Sequence, residues 1–126
     1  MTSDADVAGT YEALLAHALS LPEAWLDHPW GETCVKVKKK VFVFLRHAEE
    51  PDQLHLTAKL PASGHGLLKK PWAEPTGYGL GKHGWVSLRL AVGELLTRED
   101  LEDLIEESYQ AVAPKRLARL LDPDDD

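Results

Sequence analysis

A chain of 126 residues, 44% of them hydrophobic, holds apolar material for one core and is too short for two. No apolar run approaches the roughly 20 residues that cross a bilayer, and the opening Met1-Thr2-Ser3-Asp4-Ala5-Asp6 is acidic where a signal peptide is basic. A cytoplasmic protein without a membrane partner is the expectation. The net charge of −7 conceals a segregation: residues 1–32 carry six acids and no Lys or Arg, residues 33–92 ten bases against four acids, and residues 93–126 four bases against eleven acids. A basic middle between acidic ends can present a cationic surface that attracts phosphates.

In chain order, Tyr11, Leu14, Leu15, Ala18 and Leu19 recur at helical spacing, so residues 8–20 read as an amphipathic helix ended by Pro22. A turn-rich stretch follows, in which Trp25 and Trp30 are expected to seal one end of the core. Val35 and Val37 alternate with lysines, and Val41-Phe42-Val43-Phe44-Leu45 is β-branched and aromatic, which predicts a hairpin over 33–46. With Lys39-Lys40 as its connection, Val37 faces Phe42 and Val35 faces Phe44, while Lys36, Lys38, Val41 and Val43 share the other side. The single Cys34 has no disulfide partner and reads as a small strand residue.

His47–Asp52 reads as a polar loop. Leu54, Leu56, Ala58 and Leu60 alternate with polar residues as a half-buried strand, and 62–70 as a short helix stopped by Pro71. Residues 73–84 form a glycine-rich loop before a strand from Trp85 to Leu90. Thr97 is the expected N-cap of a helix whose buried stripe is Leu101, Leu104, Ile105, Ser108, Tyr109 and Val112. Pro114 opens a closing helix with Leu117, Leu120 and Leu121 inside. One domain over 1–121 and a solvated acidic tail over 122–126 are expected. The order of elements argues for an α+β domain, with helices covering one face of an antiparallel sheet.

Three stretches taken together resemble the MmcQ/YjbR family: Leu19-Ser20-Leu21-Pro22-Glu23-Ala24 through His28-Pro29-Trp30-Gly31, Val35-Lys36-Val37 through Lys40-Val41-Phe42, and Tyr78 with Lys82-His83-Gly84-Trp85-Val86 and the later Leu104-Ile105-Glu106-Glu107-Ser108-Tyr109. The resemblance spans residues 10–121. It implies a cyaY-like sheet-and-helix fold and a family name that includes "DNA-binding protein", without agreed catalytic residues to carry over; fold transfers better than function.

Strand alternation places Lys36, Lys38, His55, Lys59 and Arg89 on the face opposite the aliphatic core, with Thr57, Ser87 and Trp85. Bases interleaved with an aromatic ring track a phosphate backbone and stack a base; the plainer reading is that they solvate an open sheet and protect its edges. Lys38-Lys39-Lys40 at the hairpin tip is either a wing gripping phosphates or an ordinary solvated turn. Gly79-Leu80-Gly81-Lys82-His83-Gly84 has the spacing of a dinucleotide fingerprint but lacks its context, since a strand rather than a helix follows. That loop, with Lys82 and His83, can hold one anion, or its glycines simply permit a tight turn.

The six histidines show no metal-binding spacing, and Ser63, Ser87 and Ser108 lie in no nucleophile motif. The acids Glu99, Glu102, Asp103, Glu106 and Glu107 read as a solvated helix face. The sequence therefore predicts a monomeric, non-enzymatic protein without a cofactor. It is expected to bind DNA through Lys36, Lys38, Lys39, Lys40, Lys59, Lys82, His83, Trp85 and Arg89. The alternative is a protein- or small-ligand-binding adaptor with an aromatic pocket around Trp72, Tyr78 and Trp85.

Overall fold

The computed structural model describes residues 7–28, 33–49, 52–77, 80–91 and 96–121. Within them run helix α1 (Val7–Leu19), strands β1 (Ala24–Asp27), β2 (Thr33–Val37), β3 (Lys40–Glu49) and β4 (Asp52–Lys59), a single turn of helix α2 (Gly64–Leu67), strands β5 (Ala73–Pro75) and β6 (Trp85–Ala91), and helices α3 (Arg98–Val112) and α4 (Lys115–Ala118). The strands form one antiparallel sheet in the order β1-β2-β3-β4-β6-β5, and α1 and α3 pack against β3 and β4. The expected α+β layering is what the chain adopts.

Alternation explains the core. Val35 and Val37 from β2, Val43 and Leu45 from β3, Leu54, Leu56 and Ala58 from β4, and Val86, Leu88 and Leu90 from β6 are all buried. They meet Val7, Leu14 and Ala18 of α1 and Leu101, Leu104, Ile105 and Tyr109 of α3. Thr97 caps α3 as expected: its backbone is extended, and its hydroxyl accepts from the Asp100 amide at 3.1 Å. Tyr109 meets Phe42 edge-on, with ring centroids 5.2 Å apart, and donates its hydroxyl to the Pro22 carbonyl at 2.6 Å. Glu107 accepts from the Ala62 and Ser63 amides and from the Ser63 hydroxyl, tying the entry of α2 to α3.

The hairpin differs from the expected register. Val37 pairs with Lys40, so Lys38-Lys39 make the turn, with Lys38 in the left-handed region at φ 57°. Between Val35 and Lys36 the pairing then shifts by one residue, leaving Phe42 as the extra residue of a β-bulge. One unpaired residue reverses the inside–outside parity of everything beyond it. Val43 therefore joins the core, whereas Phe44 turns to the opposite face.

Other expectations are corrected by pairing. His47–Asp52 is not a loop: β3 runs to Glu49, and β4 starts at Asp52. Backbone pairing at the two sheet edges makes strands of Ala24–Asp27 and Ala73–Pro75, which lack a two-residue period long enough to read. Trp25, in edge strand β1, is 44% exposed instead of sealing the core, and Leu120 is exposed beyond α4. Trp30 and the tail 122–126 lie outside the described residues. In the glycine-rich loop, Gly81–His83 makes a 3₁₀ turn closed by Gly84 at φ 89°, and a Cβ on Gly81 would stand 2.8 Å from that of Pro75. Among the described residues no helix is long and apolar enough to cross a membrane.

Candidate functional site

The face of the sheet turned away from α1 and α3 is built by the residues that alternate with the core. Register sets them in rows across β3, β4 and β6. Arg46, His55 and Arg89 are lateral neighbours in one row, and Phe44, Thr57 and Ser87 in the next. Lys59 and Trp85 pair in the following one. A cationic row thus lies beside a hydroxyl row and an aromatic pair. Thr57 Oγ1 is 3.1 Å from Ser87 Oγ, which is 2.9 Å from Thr76 Oγ1, and the Phe44 and Trp85 ring centroids are 6.3 Å apart at a 59° tilt.

The cations differ in what already neutralises them. Lys36 Nζ lies 2.8 Å from Asp27 and 5.3 Å above the Trp25 ring, Lys38 Nζ 2.6 Å from Glu23, and an Arg89 guanidinium nitrogen 2.9 Å from Glu74. The Asp27 carboxyl is held below its ordinary range chiefly by its hydrogen bond with Lys36, whose own pKa rises for the same reason. No carboxylate among the described residues comes within ion-pair reach of Arg46, Lys40 or Lys59. Burial first, then the positive charges of Arg46 and Arg89, push the His55 pKa below 6.5, so its imidazole is kept neutral between two guanidinium groups.

At the end of these rows a crevice of about 360 Å³ opens between Lys40, Val41 and Phe44 of β3, Lys59, Leu80, Trp85 and the last turn of α3 at Ala111 and Val112. Beside it, the pairing of β3 with β4 ends at Val43 and Ala58, and Ser108 joins the next two backbone groups. The Lys59 amide donates to Ser108 Oγ at 2.8 Å, and Ser108 Oγ donates to the Phe42 carbonyl at 2.5 Å. A buried hydroxyl thus stands between two backbone groups of β3 and β4 at the bulge, satisfying both while the strands part.

The matching family model is YjbR, over residues 19–111. The chain belongs to the YjbR family. The match contains the whole sheet and α3 up to its last turn, and so the entire outer face. Among solved structures, the chain is similar to the Deinococcus radiodurans protein DR2400, whose crystal structure carries the family-model domain DUF419. The two share 24% identity with a TM-score of 0.64, over 80% of this chain and 76% of that one. This likeness shows the fold. No curated protein matches the chain.

The expected site residues are only partly gathered. Lys36, Lys59, Trp85 and Arg89 share the outer face with His55, whereas Lys38 and Lys39 form the hairpin turn and are not part of that face. Lys40 lines the crevice. His83 is exposed in its 3₁₀ turn, and the Lys82 side chain lies outside the described part. Of the alternative pocket, Trp72 packs against the core and Tyr78 lies outside the described residues, which leaves Trp85 in the crevice with Phe44. Sequence reasoning missed Arg46 and Phe44. Both lie beyond the bulge that reversed strand parity, and no residue type announces a bulge.

Proposed function

We propose that this YjbR-family protein is a binding protein whose sheet face contacts nucleic acid. The observation that carries the reading is the row Arg46, His55 and Arg89 across three adjacent strands, set beside Phe44 and Trp85. Guanidinium groups on a flat sheet meet phosphate oxygens, and adjoining rings accept bases. The remainder of the chain favours the same face: the acidic flanking segments repel a polyanion and confine its approach to the basic middle. The paired cations Lys36, Lys38 and Arg89 contribute less than Arg46 and Lys59, because a phosphate must displace an existing carboxylate to reach them.

Titrating labelled protein with an oligonucleotide and following backbone amide resonances tests this placement. The expected shifts cluster at residues 44–47, 55–59 and 85–89. Shifts confined to α1 and α3, or none at high micromolar oligonucleotide, would remove the outer face from the account.

A further inference from the structure

The outer face and the crevice at its end are two different kinds of surface. The Arg46–His55–Arg89 row is polar, with a recess of only about 120 Å³ beside Arg46 and His55, and suits a phosphate backbone of any nucleic acid. The crevice does not. About 360 Å³ lies within the range of small-ligand cavities, and its walls are two aromatic rings, the aliphatic Val41, Leu80 and Val112, and two lysines without carboxylate partners among the described residues. Phe44 and Trp85 are tilted 59° to one another, so neither ring covers the face of the other.

A duplex cannot use such a cavity. Its bases are stacked and offer only their edges in the grooves, whereas an unpaired base offers a face as well. The charges agree with a nucleotide rather than a neutral ring. The end of α3 at Ala111 and Val112 contributes roughly half a negative charge, and two ammonium groups exceed it, leaving a field that favours one phosphate beside the ring.

Resting on the nucleic-acid reading above, we infer that the crevice takes one unstacked base of a single strand with its adjoining phosphate, and that the protein consequently selects single strands over duplexes. Behind the crevice, the Ser108 hydroxyl bridges the Phe42 carbonyl and the Lys59 amide and so fixes the strand ends that carry Lys40 and Lys59. Trp85 and Phe44 grip the base, Lys59 and Lys40 its phosphate, and the Arg46 row carries the strand onward.

Fluorescence anisotropy with a labelled oligothymidylate of about twelve nucleotides, a duplex of equal length and free thymidine monophosphate tests this, since single-strand sites span roughly 4–16 nucleotides. The single strand is expected to bind about tenfold tighter than the duplex. Trp85→Leu should weaken single-strand binding by about fivefold or more while leaving duplex binding in place, whereas Lys59→Met, which removes a phosphate contact, should weaken both. Retained duplex binding also shows that the Trp85→Leu variant is folded. Equal affinity for strand and duplex, or an unchanged Trp85→Leu variant, overturns the inference while the sheet-face reading stands. Thymidine monophosphate binding as tightly as the oligonucleotide overturns it in favour of a free-nucleotide site. Binding of neither polymer overturns both readings.

Discussion

His55 shows how a single side chain can be tuned by its place in a sheet. Its neighbours across the strands are Arg46 and Arg89, and its Nε2 lies 3.2 Å from the Gln53 amide oxygen. Burial and the two guanidinium charges disfavour the imidazolium, so the folded pKa falls below the ordinary 6.5. The unfolded chain then binds a proton at higher pH than the folded one, and stability is lost as pH drops from about 6.5 toward the folded value. Thermal melts from about pH 8 to about pH 5 should show a shallower acid-side loss for His55→Gln than for the parent protein. Identical slopes would mean that the imidazole titrates as it does in water. A bound phosphate opposes the part of this shift due to the arginines, because its negative charge offsets theirs, while the part due to burial remains. Residue identities were readable at this scale, and His55, Thr57, Lys59 and Arg89 were placed on the correct face. Their pairing with Glu74 or with one another was not, since lateral neighbours depend on register.

The β2–β3 hairpin decides what reaches the outer face. Moving the turn to Lys38-Lys39 and inserting Phe42 as a bulge leaves Val35 and Val37 inside, brings Val43 and Leu45 in with them, and sends Phe44 and Arg46 outward. The turn is held by contacts far from the bulge: Trp25 Nε1 donates to the Lys38 carbonyl at 2.8 Å, and Glu23 pairs with the Lys38 ammonium. The bulge itself is held by Ser108, which the sequence marks only as one position of a buried helical stripe. Ser108→Ala leaves the Phe42 carbonyl and the Lys59 amide without that partner and should cost about 1–3 kcal/mol in urea unfolding. A cost near zero would show that the two strands close up and pair directly. Strands with a long two-residue period, such as β4 and β6, were legible from the sequence. The edge strands β1 and β5 were not, because three or four residues carry too little pattern and their assignment rests on partners supplied by the fold.

At the scale of the whole molecule, charge sorting along the chain becomes charge sorting across surfaces. The helix α3 bears most of the acids of the C-terminal segment, the strands bear Lys36, Lys40, Arg46, Lys59 and Arg89, and the net −7 hides both. Folding also spends part of that positive charge internally, since Asp27, Glu23 and Glu74 neutralise Lys36, Lys38 and Arg89. On the strands, the cations without an ion pair among the described residues are Lys40, Arg46 and Lys59, bordered by two aromatic rings. The α+β architecture and the family were legible from patterned strands, the capped helix and the motif residues. The surviving cations were not, because ion pairing joins residues far apart in sequence.

The central claim, that phosphates are met by Arg46 and Lys59 on the sheet, is tested most directly by the salt dependence of oligonucleotide binding. Each phosphate neutralised on a single strand steepens the plot of log affinity against log salt by about 0.7. The Arg46→Ala/Lys59→Ala double variant is predicted to flatten that plot by about 1.4, and Lys36→Ala/Lys38→Ala by distinctly less. An unchanged slope in the first variant, or the larger loss in the second, would contradict the account.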